Sequence, residues 1–180
     1  SVKKKIYNRC ASLIISNSSS NLSGIGSTTL NDGLTYSNVY GTRVQDNQIS
    51  LNVCDVESVL GVFESSTISD PSLPKLNLTN TSSNLLNSVI GERIVGSITN
   101  SVAILTNNQI TNQAEIVYIN ENKFIKGEQV LFEESNLTAI VESTEVGDVD
   151  IKNSFVFDDG QRSEFLDFSR ITRNSDSSAP

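Results

Sequence analysis

Apolar residues recur along this chain mostly at every second position, or in short continuous runs, bounded by Gly, Pro, Asn, Asp or Ser. That spacing is the period of a pleated strand. It predicts strands at Ala11–Ser16, Leu34–Val39, Gln48–Val53, Ser58–Phe63, Arg93–Ile98, Ser101–Thr106, Glu115–Ile119, Gln129–Glu133, Leu137–Ser143 and Ser154–Phe157. Between them lie turn-rich stretches such as SNSSSNLSGIGS, DPSLP, TNTSSN, TNNQITNQ and VGD. Helical spacing is scarce. SNLLNSVIG, at 83–91, has room for one or two turns ending at Gly91, and SEFLDFSRI reads as a short helix or an extended tail. The fold class is therefore all-β, with very little helix.

An internal repeat organises the middle of the chain. GERIVGSITNSVAIL, from Gly91, and GEQVLFEESNLTAIV, from Gly127, align without a gap at a spacing of 36 residues. They share Gly-Glu (Gly91, Glu92; Gly127, Glu128), then two aliphatic positions, and then Asn-x-x-Ala-Ile (Asn100 and Asn136). Each copy reads as a strand, a tight turn near its Asn, and a returning strand. Two such hairpins joined by EIVYI predict a small β-barrel over residues 87–149. It is inserted into a discontinuous β framework of residues 1–86 and 150–180, with TNTSSN and VGDVD as linkers. Repetition over so short a span favours a scaffold unit over an enzyme site.

Composition narrows the chemistry. The 180 residues contain no His, Met or Trp. Without imidazole, the Ser/His/Asp and Cys/His nucleophile schemes and the usual zinc sites fall away. A net charge of −8 argues against a nucleic-acid partner, and Lys3, Lys4, Lys5 and Arg9 read as a solvated strand start. No segment approaches the length of apolar residues that a membrane helix needs, and SVKKKIYNRC lacks the apolar core of a signal peptide. The Ser start and the SDSSAP end suggest a piece of something longer. Cys10 and Cys54 sit in apolar runs and read as buried free thiols, a single bridge being the alternative.

The candidate motifs have plain structural readings beside the chemical ones. GIGSTT (24–29) lacks the third glycine, helix and lysine of a phosphate cradle. Asp148 and Asp150 could hold calcium but lack the remainder of a calcium loop, so no cofactor or metal is expected. Glu133, Glu134, Glu142 and Glu145 raise a paired-carboxylate hydrolase, but no aromatic sugar platform accompanies them. In FVFDDGQRSEF, Phe155 to Phe157 read as a buried strand and Asp158-Asp159-Gly160 as its turn, with Gly160 free to take positive φ. Arg162 can fork onto Asp158, Asp159 or a neighbouring chain's carboxylate. An arginine so placed lowers an aspartate pKa, the wrong direction for a general acid.

DDGQRSEFLDFSRI resembles the DGQRD-x-x-Y-D-x-x-R-[IV] signature of very large virion structural proteins of T4-like cyanophages and related marine phages. YGTRV and ISLNVCDVESVLGVFES resemble the strand block that precedes that signature, and the Gly91 and Gly127 units resemble inserts that recur in those proteins. Asp159, Gly160, Gln161 and Arg162 match the corner, Asp167 the later aspartate and Arg170 the closing arginine. Ser163 stands where the family has Asp, Leu166 where it has Tyr, and Asn100-Ser101-Val102 replaces a Ser-Gly-Ala turn. The resemblance implies a non-enzymatic tail, baseplate or fibre component located in the virion. Its partners would be other tail or baseplate proteins, in a homo- or hetero-oligomer, with a host surface receptor as a further possible contact. The residues Asp158, Asp159, Gly160, Gln161, Arg162, Asp167 and Arg170 would then form a structural corner or inter-subunit contact. The competing expectation is a glycan- or receptor-binding adhesin domain, with a concave patch that gathers Tyr36, Tyr40 or Tyr118 with Asn and Asp side chains.

Overall fold

The computed structural model describes residues 9–15, 22–23, 28–29, 47–51 and 53–174. Strands make up 40% of the described residues and helix 4%. In chain order the strands are β1 (Leu22–Ser23), β2 (Thr28–Thr29), β3 (Gln48–Ser50), β4 (Phe63–Glu64), β5 (Lys75–Thr79), β6 (Arg93–Gly96) and β7 (Val102–Ile110). They continue with β8 (Gln113–Tyr118), β9 (Gln129–Phe132), β10 (Thr138–Glu145), β11 (Val149–Asp150), β12 (Phe155–Asp158) and β13 (Arg170–Arg173). Two 3₁₀ turns, Leu85–Asn87 and Lys152–Ser154, are the only helical elements among the described residues.

The chain divides into two compact units. One comprises Ser1–Ser12 and Phe63–Val149, the other Leu13–Val62 and Asp150–Pro180. In the first, six strands close into a ring in the order β10-β5-β8-β7-β6-β9. Every ring strand has two hydrogen-bonded neighbours, so the ring offers no free edge to another chain. Alternation does the folding. Leu76 and Leu78 of β5, Ile94 of β6, Ala103 and Leu105 of β7, Ala114 and Ile116 of β8, Val130 and Phe132 of β9, and Ala139 and Val141 of β10 all point inward. The alanines are there because six strands enclose little space, and bulkier neighbours on adjacent strands take what remains. Leu85, Phe124 and Leu137 join the same core from the connections.

The expected barrel began at residue 87, which left β5 in the framework. The compact unit that holds the ring instead combines Ser1–Ser12 with Phe63–Val149, and β5 supplies one of its six strands. KLNLT offers only two apolar residues between the turn-rich DPSLP and TNTSSN, so by composition it looks like linker. The repeat is correspondingly longer than the sequence suggested. β5-β6-β7 and β8-β9-β10 are two copies of one three-strand unit, related by a pseudo-twofold axis. In an antiparallel ladder such an axis passes between partners that are equivalent to each other. Two partner pairs meet that condition at the 36-residue spacing: Val95 with Leu131 between β6 and β9, and Asn77 with Gln113 between β5 and β8. The first strand of each copy pairs with the last strand of the other, β8 on β7 and β5 on β10. The copies are thus interlocked, and neither can close a core alone.

In the second unit, β13 lies between β12 and β3, all antiparallel. Ile49 and Ile171, directly opposite each other, are its buried aliphatics among the described residues, beside the buried Ser50 and Ser169. SEFLDFSRI takes the extended option. It forms a tight loop closed by a bridge between Gln161 and Leu166, and then β13. SNLLNSVIG yields only the single 3₁₀ turn, capped by Asn84 Oδ1, which accepts from Leu86 N–H.

Other expectations need correction. Residues 11–15 form no strand, since Leu13 and Ile14 are exposed and have no sheet to pack on. Of the strand expected over Ser58–Phe63 only Phe63 is in a ladder. Both cysteines are free, but Cys54 is exposed, because β3 ends at Ser50 and the chain turns, with Asp55 at φ 60°. Cys10 is half-buried, and burial raises its thiol pKa. The strand Leu34–Val39, residues 24–27 of GIGSTT, Lys3, Lys4, Lys5, Tyr36 and Tyr40 lie outside the described residues.

Candidate functional site

Two constellations of ionised side chains stand out, one in each unit. In the barrel they are the glutamates of the repeat. Gly91 and Gly127 take positive φ, 90° and 84°, which glycine alone adopts without strain. The chain so turned sends the next side chain inward. Glu128 is fully buried and Glu92 only 3% exposed, an expensive position for a carboxylate unless donors surround it.

Donors do surround both. Ile98 N–H (2.8 Å) and Thr99 N–H (2.7 Å) donate to Glu128 Oε1, and Ile125 N–H donates to Oε2 at 3.1 Å. The Thr99 hydroxyl lies 2.9 Å from Oε1 and 3.1 Å from Oε2. Glu92 repeats the pattern. Glu134 N–H and Ser135 N–H donate to its Oε2, each at 2.9 Å, Val89 N–H donates to Oε1 at 2.6 Å, and the Ser135 hydroxyl donates to Oε1 at 2.9 Å. Val89 and Ile125, Ile98 and Glu134, and Thr99 and Ser135 are each 36 residues apart. Each copy's glutamate therefore caps the turn of the other copy, and Asn100 and Asn136 close those turns with the same φ of 55°. Burial works to raise the Glu128 pKa. The Thr99, Ile98 and Ile125 amides and the Thr99 hydroxyl outweigh it and hold the carboxyl below its ordinary value.

The symmetry fails at the Gly96 contact. Gly96 packs directly against the Glu128 carboxylate, so that a Cβ there would overlap it, whereas 36 residues on stands the buried Phe132. The Gly-Glu pairs were visible in the sequence as repeat markers. Their partners Thr99 and Ser135 were missed; the signal was a hydroxyl residue just before the shared Asn in both copies.

The second constellation is the Asp-Gly-Gln-Arg corner. Arg162 forks onto Asp158, Nη1 to Oδ1 at 3.0 Å and Nη2 to Oδ2 at 2.9 Å. Arg170 Nη2 lies 2.7 Å from Asp158 Oδ2, and its Nη1 is 3.4 Å from Asp167 Oδ2. Arg162 Nη2 also lies 3.8 Å from Asp167 Oδ2, so that two arginines and two aspartates form one neutral cluster. The fork, Gly160 N–H (2.9 Å) and the Arg170 charge bring the Asp158 pKa down from 3.8 to about 2. Asp159 takes no part in the fork. Its Oδ1 accepts from Gln161 N–H at 2.8 Å, and its carbonyl accepts from the buried Ser169 hydroxyl at 2.6 Å. Gln161 Nε2 donates to Asp55 Oδ1 at 2.7 Å. Gly160 has φ 79°, and a Cβ on it would overlap the Asp167 carbonyl. This arrangement braces a loop.

The remaining candidates do not converge. Glu133 pairs with Arg93 at 3.5 Å and Glu134 with Arg9, both at the surface. Glu145 Oε1 accepts from Asn77 and Gln113, and Glu142 is exposed. Asp148 Oδ2 accepts from Ser72 N–H, while Asp150 Oδ1 accepts from Val62 and Lys152 N–H. Among the described residues no three His, Cys, Asp or Glu side chains group as metal ligands, and no helix is long and apolar enough to cross a membrane. Tyr118 packs on Phe124 with ring centroids 5.6 Å apart and carries Lys123 Nζ 3.7 Å above its ring.

In comparisons with known proteins, no family model, no curated protein and no solved structure matches this chain.

Proposed function

We propose that this chain is a non-enzymatic structural module of a bacteriophage virion, within a tail, baseplate or fibre protein, and that it works by assembly with other virion subunits. The observation that carries the reading is the corner. Phe165 and Leu166, 62% and 54% exposed, lie on the returning side of the loop that the arginine–aspartate cluster braces. Arg162 N–H donates to Phe165 O at 3.0 Å and Asp167 N–H to Gly160 O at 2.8 Å, so both sides of the loop are fixed. Two large apolar side chains on a rigid polar rim make a pre-organised knob for a neighbouring subunit, at little entropic cost on docking. The barrel supports the same reading, since its buried glutamates serve as structural locks. The resemblance of DDGQRSEFLDFSRI to the cyanophage virion signature supplies the setting: other tail or baseplate chains as partners, in a particle assembled in the host cytoplasm.

The test is association of the 180-residue chain, measured by size-exclusion with light scattering, alone and with purified tail and baseplate subunits of a marine T4-like phage. A discrete oligomer or complex that Phe165→Ser with Leu166→Ser dissolves, while circular dichroism stays unchanged, supports assembly through the knob. A chain that stays monomeric with every subunit, or a complex indifferent to both substitutions, contradicts it.

A further inference from the structure

The two copies in the barrel part company at one end. Thr81 and residues 83–86, from the β5–β6 connection, and residues 108–112, from the β7–β8 hairpin, line a groove of about 400 Å³. At the pseudo-symmetric place the second copy carries Phe124, buried in the core, where the first has Ser88. A serine and an amide take the place of that ring. Asn108, 4% exposed, donates through Nδ2 to Leu85 O (3.2 Å), Ser88 O (3.2 Å) and Ser88 Oγ (3.0 Å), which anchors the 3₁₀ turn to β7 beneath the groove. A duplicated scaffold needs both copies for closure, so a departure of one from the other is where a binding site can be added without loss of the ring.

We propose that this groove binds a neutral saccharide, one or two sugar rings in size. Its volume lies within the range of small-molecule sites, roughly 300–1,000 Å³. None of its lining side chains is ionisable. A phosphate or ammonium ligand would give up hydration there without meeting a counter-charge. Amides and hydroxyls both donate and accept, as sugar hydroxyls do. Several of these groups are uncommitted: among the described residues, the Thr81, Thr111 and Asn112 side chains have no hydrogen-bond partner. Asn84 spends Oδ1 on Leu86 N–H and keeps its Nδ2, and Gln109 spends Nε2 on Asn108 Oδ1 and keeps its Oε1. Leu86 and Ile110, about half exposed and one from each lining segment, offer aliphatic surface to the C–H faces of a ring. This inference stands on the groove alone and is independent of the assembly knob, which lies in the other unit.

The experiment is a two-dimensional amide NMR titration of the whole 180-residue chain with glucose, galactose, N-acetylglucosamine, maltose and lactose, and separately with inorganic phosphate. At least one sugar should give saturable shifts at residues 81–86 and 108–112, with a dissociation constant of about 1 mM or tighter. Thr111→Val and Gln109→Ala, both at exposed positions, should each weaken that sugar by about fivefold or more. Lys126→Ala, at an exposed position that does not line the groove, should not. Absence of groove shifts with all five sugars, stronger binding of phosphate than of any sugar, or affinity unaltered in both groove variants would each overturn the proposal.

Discussion

The barrel and the corner solve the same problem, an ionised carboxylate that must hold a fold in place, by opposite means. In the barrel, Glu92 and Glu128 are buried with no ion pair among the described residues, and their charge is spread over amide and hydroxyl donors from turns 36 residues apart. In the corner, Asp158 and Asp167 stay about 29% and 28% exposed and are neutralised by Arg162 and Arg170. Fixed neutral donors can serve a fully buried charge because they require no second ion to lose its water. An arginine fork suits a half-exposed loop, where its remaining donors stay solvated and salt can screen it. The barrel lock should therefore be strong and indifferent to ionic strength, and the corner weaker and sensitive to it.

The largest break of that contrast is expected from Glu128→Gln. The substituted amide must turn its NH₂ toward the Ile125 amide on one side or the Ile98 and Thr99 amides on the other, leaving buried donors face to face. A loss of about 3 kcal/mol is expected, read as a lowered urea midpoint, with no dependence on salt between low and high ionic strength. Arg162→Ala comes next. It removes the fork but leaves Arg170 on Asp158, and about 1–2 kcal/mol is expected from a charge-assisted pair that is partly exposed. Much of that difference should vanish in about 1 M salt, where the Debye length falls to about 3 Å.

Acid weakens both, and a substitution separates their shares. The folded-state pKa of Asp158 is depressed from 3.8 to about 2, so its contribution is complete above about pH 4 and is lost as the pH falls through about 2. The shift corresponds to at most about 2 kcal/mol, and less after allowance for the exposure of the carboxylate. Urea midpoints measured from pH 5 to pH 2 should fall for the wild type. In Asp158→Asn the part of that fall owed to the corner should be missing. Glu128 is displaced in the same direction, so its share is likewise present at neutral pH and lost in acid.

The pattern of apolar positions carried much of this architecture. Period-two alternation located β6 to β10 and β12, and the Gly-Glu spacing exposed half of the duplication. The remainder escaped for identifiable reasons. β5 has only Leu76 and Leu78 between turn-rich flanks, and β13 only Ile171 as a buried aliphatic, so both strands are defined by their ladders more than by their composition. Strand exchange between copies leaves no trace in local spacing, because it is a choice of partner. The corner was legible as an arginine held against a turn, but not the division of labour in which Asp158 takes the fork and Asp159 caps Gln161. Thr99 and Ser135 look like ordinary turn residues until the buried glutamates they serve are in view.

The account rests on the barrel being two interlocked copies, each closed by the other's glutamate, and native-state amide exchange tests it most directly. The amides of Ile98, Thr99, Glu134 and Ser135 lie in surface turns, where exchange is ordinarily fast. If the reciprocal locks hold, all four should be protected to nearly the same degree as the core amides of β6 and β9. Glu128→Gln should release Ile98 and Thr99 before Glu134 and Ser135, and Glu92→Gln should reverse that order. Fast exchange of all four in the wild type, or release of the same pair by both substitutions, would contradict the interlocked barrel.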